Sequence, residues 1–137
     1  MKNIISTICL SIFVMASTPA WADVYGCSIL EIRALSDAGR LHKTARAKDK
    51  EESDYKVIWN EESRSMEIGF KGGGKPEVKL FDIIQAGTDQ NATTAVHIFK
   101  GTASTFTSLF RLHTYTDELP FMLTGFSEVW TGNCERL

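Results

Sequence analysis

The sequence predicts an all-β domain: a small antiparallel β-barrel, up-and-down or partly open, closed by one disulfide between its two ends. A two-sheet β-sandwich is the alternative. Three observations point there. Six or seven stretches alternate apolar and polar residues with the period of two that a half-buried strand requires. Helical signals are few, and Gly, Asp and Pro punctuate the chain at turn spacing. Cys27 and Cys134 stand near opposite ends of the processed chain. A bond between them would join first strand to last, and a closed barrel has no exposed edge.

The two ends of the chain set its compartment. Lys2 gives a positive start, Ile4 to Ala16 an apolar run, and Ala20-Trp21-Ala22 small residues at the −3 and −1 positions of a cleavage site. That is the layout of a secretory signal peptide. Cleavage between Ala22 and Asp23 is expected, so that 1–22 is the leader and 23–137 a single exported β domain. The apolar run falls short of the roughly 20 residues a membrane helix needs, and the chain then turns polar, so no membrane span is expected after cleavage. The expected location is periplasmic or secreted, in a bacterial setting, where cysteines stay paired. Cys9 leaves with the leader, and Cys27 and Cys134 remain as an even pair. Closing a loop of about 100 residues is worth roughly 4.7 kcal/mol in the chain-entropy account. Val24-Tyr25-Gly26-Cys27 resembles the lipobox of bacterial lipoproteins only loosely. Tyr25 is bulky where that motif is small, and acylation would strand Cys134.

The elements follow in order. Ser28 to Leu35 alternates Ile29, Glu31, Arg33 and Leu35 against Leu30, Ile32 and Ala34. Ser36 to Gly39 reads as a tight turn. Arg40 to Asp54 is charged and poor in apolar anchors, a long loop with a short helical turn near Thr44 to Glu51. Tyr55, Val57 and Trp59 share a face against Lys56, Ile58 and Asn60. Glu61 to Arg64 turns the chain back, and Met66, Ile68 and Phe70 complete a hairpin. Lys71 to Pro76 contains three successive glycines and must be irregular. Val78 to Gln85 is largely apolar on both faces, which predicts fuller burial or a face covered by the charged loop. Gly87 to Thr94 is a polar turn region, and Ala95 to Lys100 and Thr105 to Thr116 are strands around a turn at Gly101. Pro120 opens a last stretch from Phe121 to Cys134, whose apolar parity changes at Gly125. A bulge or coil is expected there, and Gly132 is expected to allow close backbone approach beside Cys134.

Charge and motifs exclude several classes. The formal net charge is −2, one unit more negative once Lys2 is removed. The basic cluster from Arg40 to Lys50 is answered by Glu51, Glu52 and Asp54, so the concentrated basic face of a nucleic-acid binder is missing. His42, His97 and His113 are the only imidazoles. His97 and His113 fall on neighbouring predicted strands and could begin a metal site with Asp82 or Glu128, but zinc needs at least three protein ligands. Gly72-Gly73-Gly74-Lys75 lacks the spacing of a phosphate loop. Asn91-Ala92-Thr93 matches a glycosylation sequon, read here as a polar turn. There is no Gly-x-Ser-x-Gly elbow and no helix carrying Ser-x-x-Lys. No catalytic residue, cofactor or metal ligand is assigned. Twelve aromatic residues, Tyr25 and Trp130 among them, spread over all the strands, and so short a chain is expected to fill its interior with side chains.

The expected function is that of a non-catalytic exported domain binding a partner, either a protein of the envelope or a small apolar ligand. The loops Arg40–Asp54 and Lys71–Pro76 are the expected recognition segments. The alternatives are a lipocalin-like carrier of a small apolar ligand, and a small periplasmic enzyme using His97 or His113 as acid or base.

Overall fold

A computed structural model describes residues 23–45, 48–49, 55–70, 73–125 and 127–137. The leader, Cys9 and Ala22 lie outside the described residues. Ten strands form among those described: β1 (Val24–Leu35), β2 (Leu41–His42), β3 (Tyr55–Asn60), β4 (Ser65–Phe70), β5 (Glu77–Leu80), β6 (Asp82–Gln85), β7 (Thr93–Lys100), β8 (Thr105–Leu112), β9 (Pro120–Gly125) and β10 (Glu128–Arg136). They make one sheet in the order β5-β4-β3-β1-β10-β9-β8-β7-β6, with β2 a short spur on β1.

The two ends of that order, β5 and β6, are separated in sequence by Phe81 alone. One extended segment therefore pairs with β4 through its first half and with β7 through its second. The sheet rolls into a nearly closed antiparallel barrel in which neighbours in space are neighbours in sequence, and β1 against β10 completes the ring. The barrel expectation holds, and the sandwich alternative does not: the sheet is continuous and curls rather than splitting into two layers.

Alternation fills the interior as the sequence implies. Tyr25, Cys27, Val57, Trp59, Met66 and Phe110 are buried inside, while Lys56, Arg111, Asn133 and Glu135 stand exposed outside. That polarity is opposite to a transmembrane barrel, whose outer band is apolar. Trp59 is fully buried, and its Nε1 has no hydrogen-bond partner among the described residues. The unpaired donor costs about 1–3 kcal/mol. Burying roughly 200 Å² of indole gains about 5 kcal/mol, so the ring's burial prevails.

Closure rests on the β1–β10 ladder. Cys27 and Cys134 are direct partners in it, with Cα atoms 3.9 Å apart across 107 residues of sequence, and their disulfide is formed. Two positions further on, Gly132 faces Ile29, and a Cβ there would collide with the Ser28 carbonyl oxygen. The close approach expected of this glycine is therefore a requirement. The register slips between Ile29 and Glu31, which makes Leu30 an extra, exposed residue. Beyond this bulge the inward parity switches, from Tyr25 and Cys27 to Ile32 and Ala34.

Four expectations need correction. The parity change at Gly125 is a hairpin: Gly125 pairs with Glu128, leaving residues 126 and 127 for the turn, and Phe126 lies outside the described residues. The strand expected to reach Thr116 ends at Leu112. There the His113 N–H donates to the Pro120 carbonyl at 3.0 Å, and the Leu119 N–H to Thr116 at 3.2 Å, with Leu119 in a left-handed conformation (φ 45°). Val78, Leu80 and Ile84 are exposed rather than buried, because their segment forms the seam of the barrel and nothing among the described residues covers its outer face. The single strand Val78–Gln85 is two, divided at Phe81, where the chain changes partner and the Phe81 N–H turns to the Arg64 carbonyl. Of the two long loops, residues 46, 47, 50–54, 71 and 72 lie outside the described residues. In what remains, the Lys48 N–H donates to the Thr44 carbonyl at 3.1 Å, as in a helical turn. Gly73 and Gly74 take φ of 106° and 124°, open to glycine and few others.

Replacing Cys27 and Cys134 together with alanine is expected to lower the unfolding free energy by up to about 4.7 kcal/mol while the far-ultraviolet β signature survives. Gly132→Ala, with the disulfide intact, is expected to cost about 1–3 kcal/mol through the forced clash. Equilibrium urea unfolding measures both.

Candidate functional site

Inward positions are filled unequally along the barrel. At the end that carries the β3–β4 turn the core is dense with rings. Trp59 meets Phe81 at 5.9 Å and Phe110 at 5.1 Å between centroids, and Phe110 meets Phe121 at 6.2 Å. Toward the other end the interior opens into a cup of about 360 Å³. The expectation of a side-chain-filled interior therefore holds for one half only. The reason lies in which residues share a level: Ser108 and Gly125 face one another across β8 and β9 with a small side chain or none, and both border the cup.

Each wall of the cup follows from strand register. Phe81, Ile68 and Leu123 supply its apolar surface. Tyr55 and Trp130 form an edge-to-face pair with centroids 5.9 Å apart. The Trp130 Nε1–H donates to Glu128 Oε2 at 3.1 Å, which fixes the indole's orientation. Lys79 is the partner of fully buried Met66, so its side chain also projects inward. Only 22% of that side chain is exposed, and Nζ lies 3.4 Å from Glu77 Oε1. Ser108 and Thr124 add hydroxyl groups.

Strand direction places the described parts of four connections at this open end: residues 36–45 with 48–49, 73–76, 101–104 and 127. Both loops expected to carry recognition residues are among them, and Gly74 and Lys75 line the cup itself.

The histidines are not brought together. His97 is the partner of Ser108, whereas His113 follows the end of β8, five residues and therefore roughly 17 Å further along. The pair proposed from neighbouring strands does not form. His97 instead holds the seam. Between β5 and the last part of β7 no ladder forms among the described residues. Across that gap the His97 Nδ1–H donates to the Leu80 carbonyl at 2.7 Å, and its ring packs on Phe81 at 5.5 Å. His113 lies in the β8–β9 loop with Nδ1 3.0 Å from the Tyr115 hydroxyl. His42 sits on exposed β2. Among the described residues no three His, Cys, Asp or Glu side chains gather as a metal site. Cys27 is bridged and is no nucleophile.

At the packed end a second hollow of about 270 Å³ is bordered by Asp23, Tyr25, Glu61, Asp89, Thr114 and Arg136. Several polar groups here are engaged. The Tyr25 hydroxyl donates to Asp23 Oδ2 at 3.0 Å, the Thr93 hydroxyl to Glu61 Oε1 at 3.0 Å, and Arg136 lies 3.8 Å from Asp23. The network clasps the first strand, the β3–β4 turn and the last strand. Burial, reinforced by the Asp23 carboxylate, pushes the Tyr25 phenol up to about 12.

Sequence reasoning missed Lys79, Ser108 and the Tyr55–Trp130 pair as site residues. One signal was available for Lys79: it shares its parity with Phe81 and Ile83, the apolar row of the same segment. Compared with known proteins, the chain matches no family model, no curated protein and no solved structure.

The Tyr25 phenol retains its proton in the folded state to higher pH than in the unfolded chain, where it titrates near 10. Its contribution to stability is therefore complete below pH 10 and is lost as pH rises toward 12. Melting temperatures from pH 9 to 12 are expected to fall more steeply for the wild type than for Tyr25→Phe.

Proposed function

We propose that the domain is a non-catalytic binding protein, exported through residues 1–22, that takes one small amphipathic ligand into the open end of its barrel. One observation carries this reading: the interior is packed with rings at one end and leaves about 360 Å³ beside an aromatic wall at the other. That volume lies within the range of roughly 300–1,000 Å³ usual for small-molecule sites, which are mostly apolar with a few converging polar groups. The disulfide-closed ring supports a pre-formed site, so little ordering cost attends binding. The Cys27–Cys134 bond also accords with an oxidising, exported location.

A second reading, capture of an envelope protein by the rim, is favoured by Leu35 and Leu41. These two are cross-strand partners at the root of the charged loop, and both are exposed. Deleting residues 43–52 separates the two readings. The deletion is expected to spare ligand uptake into the cup and to abolish only rim-dependent capture.

The cup itself is tested with N-phenyl-1-naphthylamine, a neutral dye that brightens in apolar surroundings. The folded protein is expected to take up one equivalent, with quenching of Trp130 emission. Ser108→Trp, which fills the cup, is expected to reduce uptake by at least about tenfold. A folded wild-type protein that takes up no dye overturns the reading.

A further inference from the structure

We infer that the ligand of the cup is an organic anion: an aromatic or otherwise flat apolar body lying against Tyr55 and Trp130, with one carboxylate-like head group held by the Lys79 ammonium. This deepens the reading above and rests on it.

The inference starts from the position of Lys79. It occupies the inward row of the β5–β6 segment, between Glu77 and Phe81, opposite a fully buried methionine. Lysine is among the residues least often buried, and an enclosed ammonium is costly unless it is paired. An apolar side chain would serve the fold better at this position. The ionic partner of Lys79 is Glu77, two residues away on the same strand, at 3.4 Å. The Glu77 side chain is 66% exposed, so the pair is largely screened by solvent. An ammonium has three donors, and this one long contact engages only one of them.

The other charges around the cup are of both signs, and their placement differs. Lys75 adds a second cation at the mouth. Of the two carboxylates, Glu77 stands at the solvent-facing rim, and Glu128 accepts the Trp130 indole N–H. The less exposed of the two charges on the β5 row is thus cationic, while the Tyr55–Trp130 wall offers ring surface for an apolar body. The Ser108 hydroxyl is available to one of a head group's remaining acceptors. A cationic ligand drawn to Glu77 and Glu128 is the competing outcome, and the experiment must be able to return it.

Two dyes with the same ring body separate charge from shape. They are 8-anilino-1-naphthalenesulfonate, which is anionic, and N-phenyl-1-naphthylamine, which is neutral. Both are titrated into the exported chain, residues 23–137 with the disulfide intact, at low and high salt. The wild type is expected to bind the sulfonate about tenfold more tightly than the neutral dye, with the difference shrinking as salt is raised. Lys79→Met is expected to weaken sulfonate binding about tenfold and leave the neutral dye within about twofold. Lys79→Arg is expected to restore the preference for the anion. Lys79→Gln serves as a second neutral variant if Lys79→Met does not fold, as judged by its melting curve. Equal effects of Lys79→Met on both dyes, a tighter neutral dye, or a preference for a cationic dye of similar size overturn the anion assignment while leaving the cup standing. Failure of the folded wild type to bind either dye overturns the cup and the anion assignment together.

Discussion

The barrel depends on one long-range constraint, the pairing of β1 with β10. Every other neighbouring pair in the ring is joined by a short connection or by the loop that follows β1, and such local pairings cost little loop-closure entropy. β1 against β10 is different, because it must bring together residues 107 positions apart. The Cys27–Cys134 bond meets that cost by confining the unfolded chain. Its surroundings are adapted to it. Gly132 has no side chain where the Ser28 carbonyl oxygen passes, and Leu30 is extruded so that inward parity can be reset for Ile32 and Ala34.

Across the ring from this closure the barrel is held less tightly. The segment from Glu77 to Gln85 pairs first on one side and then on the other, so a gap runs between β5 and the last part of β7. His97 spans it with an imidazole, where a ladder would use backbone groups. Val78, Leu80, Ile98 and Phe99 stand exposed along this seam. Free edges invite pairing with another chain, and charged side chains are a usual protection. Glu77 and Lys100 are exposed charges at this edge. The gap is at the same end of the barrel as the cup.

Much of the architecture was legible because it depends on alternation and cysteine placement, both visible along the chain. Tyr55 to Asn60 and the turn after it needed nothing else. The errors came where local chemistry gave no sign. Leu30 is a bulge with no glycine to mark it. Phe126 and Ser127 lack the residues expected of a two-residue hairpin turn, so β9 and β10 read as one strand. His113 and Tyr115 continue the alternation of β8 past its end, and a left-handed Leu119 cannot be foreseen from its side chain. The cup was not legible because it arises from coincidence at one level of the barrel. Ser108 and Gly125 come from two strands, and only the register sets them around the same space.

The uneven filling of the interior bears on function through what each half gains from folding. Trp59, Phe81 and Phe110 contribute burial and ring contacts, and alternation, packing and turn chemistry agree there. At the open end these levels disagree: an inward row that should be apolar carries Lys79, and Ser108 leaves space that a larger residue would fill. Where a sequence otherwise consistent with its fold departs from that consistency, a functional site is the usual reason. Both departures border one cavity, and the same cavity has an oriented indole on its wall. An isolated inward lysine could be an unexplained cost of the fold. A lysine, a gap and an aromatic surface facing one space share one explanation under the ligand proposed above.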